Sequence, residues 1–139
     1  MIDRQKPGFD ASEGLDCWPK TTGGKGLHVM VPITPDMTWD AAHAFTMGLA
    51  ERLAQSAPDR YVTSAMVPRA GKLFIDYLRN GRGTTAVGAY SPRARPGFPV
   101  AAPVTWSAIE HGLRSDAFSI RKPPRAIALA STMTTPDDC

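Results

Sequence analysis

A chain of 139 residues with 42% hydrophobic content can bury one core and is too apolar for wholesale disorder. It holds no apolar run near membrane-span length, no signal-peptide core in MIDRQKPGFD, and no disulfide framework or metal-spaced pair in Cys17 and Cys139, so the expected setting is the cytoplasm. The net charge of +3 is unevenly spread: from Arg60 to Ile109 there are seven basic residues and one acid, Asp76, a balance that suits either a polyanion or a solvated basic surface.

Thirteen prolines and 12 glycines predict short elements and long connections. Residues 1–14 read as an irregular segment, followed by a short strand over 15–18 and a Gly-rich turn over 19–26. From Leu27 to Ile33 the sequence alternates, with Leu27, Val29, Val31 and Ile33 on one face and His28 and Met30 on the other. Pro32 lacks an N–H and ends the strand or sets it at an edge. Residues 38–56 form a helix by spacing: Trp39, Ala42, Phe45, Leu49 and Leu53 make one stripe, Thr38 is the cap, and Pro58 enforces the stop. Residues 62–70 have no clear period. Lys72–Leu78, KLFIDYL, predicts a second strand with Asp76 on the face opposite Leu73, Ile75 and Tyr77. Residues 79–104 are loop-rich, with strand candidates at Ala86–Tyr90 and Val100–Ala102, and Thr105 caps a short helix over Trp106–Leu113. Beyond Arg121 the sequence is irregular, and the tail 126–139 has no core pattern.

Strand, helix, strand predicts an α/β (α+β) fold with helices packed on one face of a sheet. Strand parity then sets His28 and Asp76 on the open face of that one sheet, where a cleft would form.

Three features could carry chemistry. Gly23, Gly24 and Gly26 permit close backbone approach, Lys25 adds charge, and the hydroxyls of Thr21 and Thr22 can donate to phosphate. The turn is neither a Walker A loop nor GxGxxG, so an ordinary structural turn is the competing reading. His28 is a phosphate donor, a metal ligand, an acid–base group or a half-exposed strand histidine. Asp76, inside an apolar strand, calls for a partner: an ion pair with Lys72, Arg79 or Arg82, or a hard divalent metal. Arg79, Arg82, Arg93 and Arg95 follow in LRNGRG and SPRARPG, and guanidinium groups suit bidentate phosphate contacts. His43 and His111 have no metal-spaced partner and receive no role.

Taken together, PKTTGGKGLHVMVPI, KLFIDYLRNGRGTTAVGAYSPRARPG and PVTWSAI resemble the primase-polymerase domain of bacterial DNA ligase D, within the archaeo-eukaryotic primase superfamily, over roughly Leu15 to Arg125. The resemblance implies a template-dependent nucleotidyltransferase of non-homologous end joining that uses two divalent metals, Mg or Mn, and takes a nucleoside triphosphate and DNA ends as partners. It implies that Thr22, Lys25, His28, Arg79 and Arg93 hold the triphosphate, that Asp76 is a catalytic metal ligand, and that Arg82 and Arg95 contact DNA or phosphate. The family's first motif, Asp-x-Asp, occurs nowhere in the sequence. With Asp76 alone, two ions about 3.5–4 Å apart have too few ligands. The resemblance therefore implies a partial, C-terminal portion of the domain over 15–125. Such a chain is expected to be inactive as a polymerase alone, and to act as a component of an enzyme, as a nucleotide or DNA-end binding module, or as a vestigial structural domain. A dimer, or a partner supplying the missing half, would cover its exposed apolar surface.

Overall fold

The computed structural model describes residues 16–66 and 71–124. The element order is β1 (Trp18–Thr21), β2 (Leu27–Met30), α1 (Trp39–Ser56), β3 (Tyr61–Val62), β4 (Leu73–Phe74) and α2 (Trp106–Glu110). The fold is mixed α/β, with small sheets and helices. The chain divides into two compact units: one comprises the described residues of Ile33–Ala86, the other those up to Pro32 and from Val87 onward. The predicted irregular segments 1–14 and 126–139, and part of the aperiodic 62–70 stretch, lie outside the described residues. Among the described residues no helix is long and apolar enough to cross a membrane.

The unit of Ile33–Ala86 is organised by α1. Thr38 has extended backbone and its hydroxyl accepts the Ala41 N–H, Asp40 sits in the first turn, and the Ala57 N–H closes on the Leu53 carbonyl just before Pro58. The helix buries Leu49 and Ala50, whereas Trp39 and Phe45 of the same stripe are exposed. Downstream, β3 runs parallel to β4, and the pairing is carried on by the Ile75 N–H to the Val62 carbonyl at 2.8 Å. The strand expected over Lys72–Leu78 is therefore much shorter. The ladder stops where β3 stops, and Leu78–Asn80 turn into a short 3₁₀ segment.

In the other unit β1 and β2 pair antiparallel, with Lys20 opposite His28 and Thr21 opposite Leu27, joined through the Gly-rich turn. The first strand lies three residues later than expected, at Trp18, because its register is set by β2 and by a segment distant in sequence. That segment, Pro99–Val104, is the core: Ala101 and Ala102 are fully buried, with Val100 and Val104 nearly so. It is bonded along its length. The Thr21 N–H donates to the Ala102 carbonyl at 2.8 Å, Val104 to Pro19 at 2.9 Å, Tyr90 to Ala101 at 2.7 Å and Val100 to Phe118 at 2.9 Å. The strand candidate at Val100–Ala102 thus marks the core, with a bridge from Val100 to Pro92, while Ala86–Tyr90 forms no strand. Thr105 caps α2 through the Ala108 N–H, and the Trp106 indole donates to the Cys17 carbonyl at 3.1 Å.

One expectation is corrected here. Among the described residues β2 and β4 belong to separate two-stranded sheets. His28 and Asp76 therefore do not share the open face of one sheet. Alternation fixes the faces within a strand but says nothing about which strands pair.

Candidate nucleotide and phosphate site

The eight candidate residues fall into two sets, one in each unit. Thr22, Lys25, His28, Arg93 and Arg95 belong to the β1–β2 unit; Asp76, Arg79 and Arg82 belong to the α1 unit.

The first set is built on the Gly-rich turn. Gly23 has φ +66°, and a Cβ there would stand 3.0 Å from Arg93 Cγ and 3.3 Å from the Pro99 carbonyl, so only glycine fits. Arg93 lies along this glycine and its guanidinium donates to the Thr22 carbonyl at 3.3 Å. Arg95 lies over the next residue: a Cβ on Gly24 would be 3.5 Å from its guanidinium nitrogen. Arg95 opens an Arg95-Pro96-Gly97-Phe98 turn, closed by the Phe98 N–H on the Arg95 carbonyl at 2.9 Å, with Gly97 at φ +82°. Lys25 is exposed at the tip, and His28 is half-buried on β2.

Thr22 is placed differently from a hydroxyl presented to a ligand. It is buried, and its Oγ1 donates across the turn to the Gly26 carbonyl at 2.8 Å. The residue that completes this arrangement, Ser115, was not anticipated. Its Oγ accepts the Thr22 N–H at 3.2 Å and donates to the Gly26 carbonyl, while its own carbonyl accepts the Gly23 N–H at 3.0 Å. Ser115 thereby fastens a second turn, Arg114–Ala117, beside the first. Between them lies an open concavity of about 720 Å³, lined among others by Gly24, Lys25, Arg95, Arg114, Ser115 and Asp116. Arg114 and Asp116 form a two-pronged ion pair at 3.0 and 3.2 Å. These hydrogen bonds hold the Asp116 carboxyl below the usual carboxylate range and raise the guanidinium further. Beneath the turn Lys20 is buried and donates to the Val87 carbonyl; its desolvation lowers the ammonium below the ordinary lysine value.

The second set is local. Asp76 is not in mid-strand: Oδ1 accepts the N–H of Leu78, two residues on, at 3.2 Å, and Oδ2 lies 3.6 Å from Arg79 Nε. Arg79 also donates to the Thr85 carbonyl at 3.1 Å, and the Thr84 hydroxyl closes on the carbonyls of Arg79 and Gly81 at 2.6 Å. Arg82 is exposed in the Gly81–Thr84 turn. The segment rests on α1 through His43, whose ring stacks at a tilt on Tyr77 with centroids 5.6 Å apart. Of the two explanations open for Asp76, the structure contains the ion pair with Arg79. As a donor set for metal, one carboxylate already accepting an N–H and facing a guanidinium does not fit two divalent ions.

Comparison with known proteins places this geometry. Residues 10–133 match the family model of the LigD primase-polymerase domain. The chain belongs to that family. The multifunctional non-homologous end joining protein LigD of Pseudomonas aeruginosa is 38% identical over 115 residues, which are 82% of this chain and 14% of that protein. The bifunctional LigD of Bacillus subtilis is 32% identical over 111 residues, 78% of this chain and 18% of its own length. Among solved structures, the polymerase domain of Mycobacterium tuberculosis ligase D in complex with DNA superposes with a TM-score of 0.71 at 34% identity, covering 76% of this chain and 37% of that one. The LigD-type fold accounts for the α/β architecture, and the chain spans well under half of the polymerase domain it matches.

Proposed function

We propose that this LigD-type chain binds the phosphates of a nucleoside triphosphate and of DNA ends, in the cytoplasm, as one component of an end-joining polymerase. The observation that carries the reading is the Gly-rich turn itself: Gly24 is half-exposed with Arg95 beside it, Arg93 is fixed against the buried Gly23, and Lys25 stands at the tip. Cations fixed along a turn in this way suit a polyphosphate. A solved relative is a polymerase domain in complex with DNA, which supports DNA as the second ligand. Thr22 serves this reading by shaping the turn, His28 adds a donor on β2 of the same unit, and Arg79 offers a phosphate contact of its own in the α1 unit. Mg or Mn would bind at Asp76 only when a second copy or a partner supplies further acids.

The test is a titration of the chain with a nucleoside triphosphate. Lys25→Ala and Arg93→Ala are each expected to weaken binding about tenfold, the equivalent of one charge-assisted hydrogen bond. His28→Ala and Arg79→Ala are expected to weaken it less. Affinity unchanged in all four variants would overturn the reading.

A further inference from the structure

The concavity beside the Gly-rich turn contains one more cation, Arg114. Arg114 and Asp116 stand two residues apart on one turn, and Ser115 between them is fastened to Thr22, Gly23 and Gly26. The pair is thus held at the rim of the same concavity that Lys25 and Arg95 line. Both side chains are well exposed, so a solute reaches the guanidinium directly. The Asp116 carboxylate engages Arg114 through Nε and one terminal nitrogen, the fork that a phosphate would use. A carboxylate carries one charge, whereas a phosphate group carries up to two and more acceptor oxygens. An exposed ion pair contributes little by itself and is readily exchanged.

We propose that this concavity is a phosphate site in which Asp116 occupies Arg114 until a phosphate takes its place. Asp116 then sets the threshold for binding, and Arg114 supplies a third cation beside Lys25 and Arg95. The inference rests on the phosphate-binding reading above and adds two residues to it. The phosphate chemistry is common to the polyphosphate of a nucleotide and to a phosphorylated DNA end.

Calorimetric titration separates the possibilities. The chain is titrated with inorganic tripolyphosphate, with a nucleoside triphosphate, and with a single-stranded oligonucleotide bearing or lacking a 5′-phosphate. Asp116→Asn is expected to tighten phosphate binding by about three- to tenfold, and Arg114→Gln to weaken it by a similar factor, as for release or loss of one exposed ion pair. In the double variant the gain from Asp116→Asn is expected to disappear, because there is no guanidinium left to release. Both positions are exposed and Ser115 is retained, so a circular-dichroism melt should match wild type. The ligand whose affinity shows this coupling identifies the source, nucleotide or DNA end. Coupling with none of them, or an equal gain with and without Arg114, overturns the inference while leaving the Lys25 and Arg93 results to stand. If the wild-type chain binds no phosphate ligand at all, the proposed function and the inference fall together.

Discussion

Within the Gly-rich turn, glycines of the same appearance in the sequence do different physical jobs. Gly23 is in the left-handed region and against Arg93 and Pro99, while Gly26 is at an ordinary φ with open space where a Cβ would go. Gly23→Ala is expected to cost at least about 1–2 kcal/mol from the backbone alone, and to push Arg93 off the Thr22 carbonyl. Gly26→Ala is expected to stay within about 0.5 kcal/mol. Urea unfolding of the two variants side by side checks this, and equal losses would contradict the placement of Gly23. Lys20 gives a pH dependence with a definite sign. Burial sets its folded-state pKa below the ordinary value of 10.5, so in the window just below 10.5 the unfolded chain binds more protons than the folded one. Stability attributable to Lys20 therefore rises as pH climbs through that window. The difference between wild type and Lys20→Met, measured by unfolding at a series of alkaline pH values, isolates this rise. A difference that falls or stays flat with pH would refute the burial argument.

At the scale of elements, α1 depends on its cap. Thr38→Ala removes the acceptor for the Ala41 N–H and is expected to cost about 1 kcal/mol, read as a lower urea midpoint for loss of helical ellipticity. The same caps explain what could be read in advance. Thr38, Pro58 and Thr105 act on neighbours within four residues, so both helices were visible in the sequence, α1 to within one residue and α2 at its start. Strands depend on partners far away. β1 takes its place from β2 and from Pro19–Val104 and Thr21–Ala102 bonds that span more than eighty positions, and β4 ends where β3 ends. No local pattern contains that information. The same division holds at the site. Gly23, Lys25 and the arginines stand out by composition and by family motif, whereas Ser115 reaches Thr22 from 93 residues away, and nothing in LRSDA except a turn-forming Ser-Asp marks it. The place of Asp76 has a local cause too: KLFIDYL alternates like a strand, but an aspartate that accepts the N–H two residues on favours a turn and ends the alternation.

For the whole molecule, charge and apolar exposure lead to separate consequences. If phosphate contacts dominate DNA binding, log affinity should fall linearly with log salt and depend little on base sequence; a flat salt plot from filter binding would contradict this. Apolar exposure bears on the missing acids. Among the described residues of the Ile33–Ala86 unit, Ile33, Trp39, Phe45, Leu73 and Leu78 are exposed, while Leu49 and Ala50 are the buried apolar ones. A unit so thinly cored gains by being covered, and the relative it resembles has a domain of which this chain matches 37%. The chain alone should therefore bind a hydrophobic dye and show no primer extension with Mn²⁺, because Asp76 is a single carboxylate engaged with Leu78 and Arg79. Adding a polypeptide that carries the Asp-x-Asp portion of a LigD polymerase domain should reduce dye binding and produce extension, and Asp76→Asn should abolish that extension without restoring the dye signal. Extension by the chain alone would overturn the donor-count argument. Dye binding unchanged by the added polypeptide would show that the apolar face is not where the complementary portion sits.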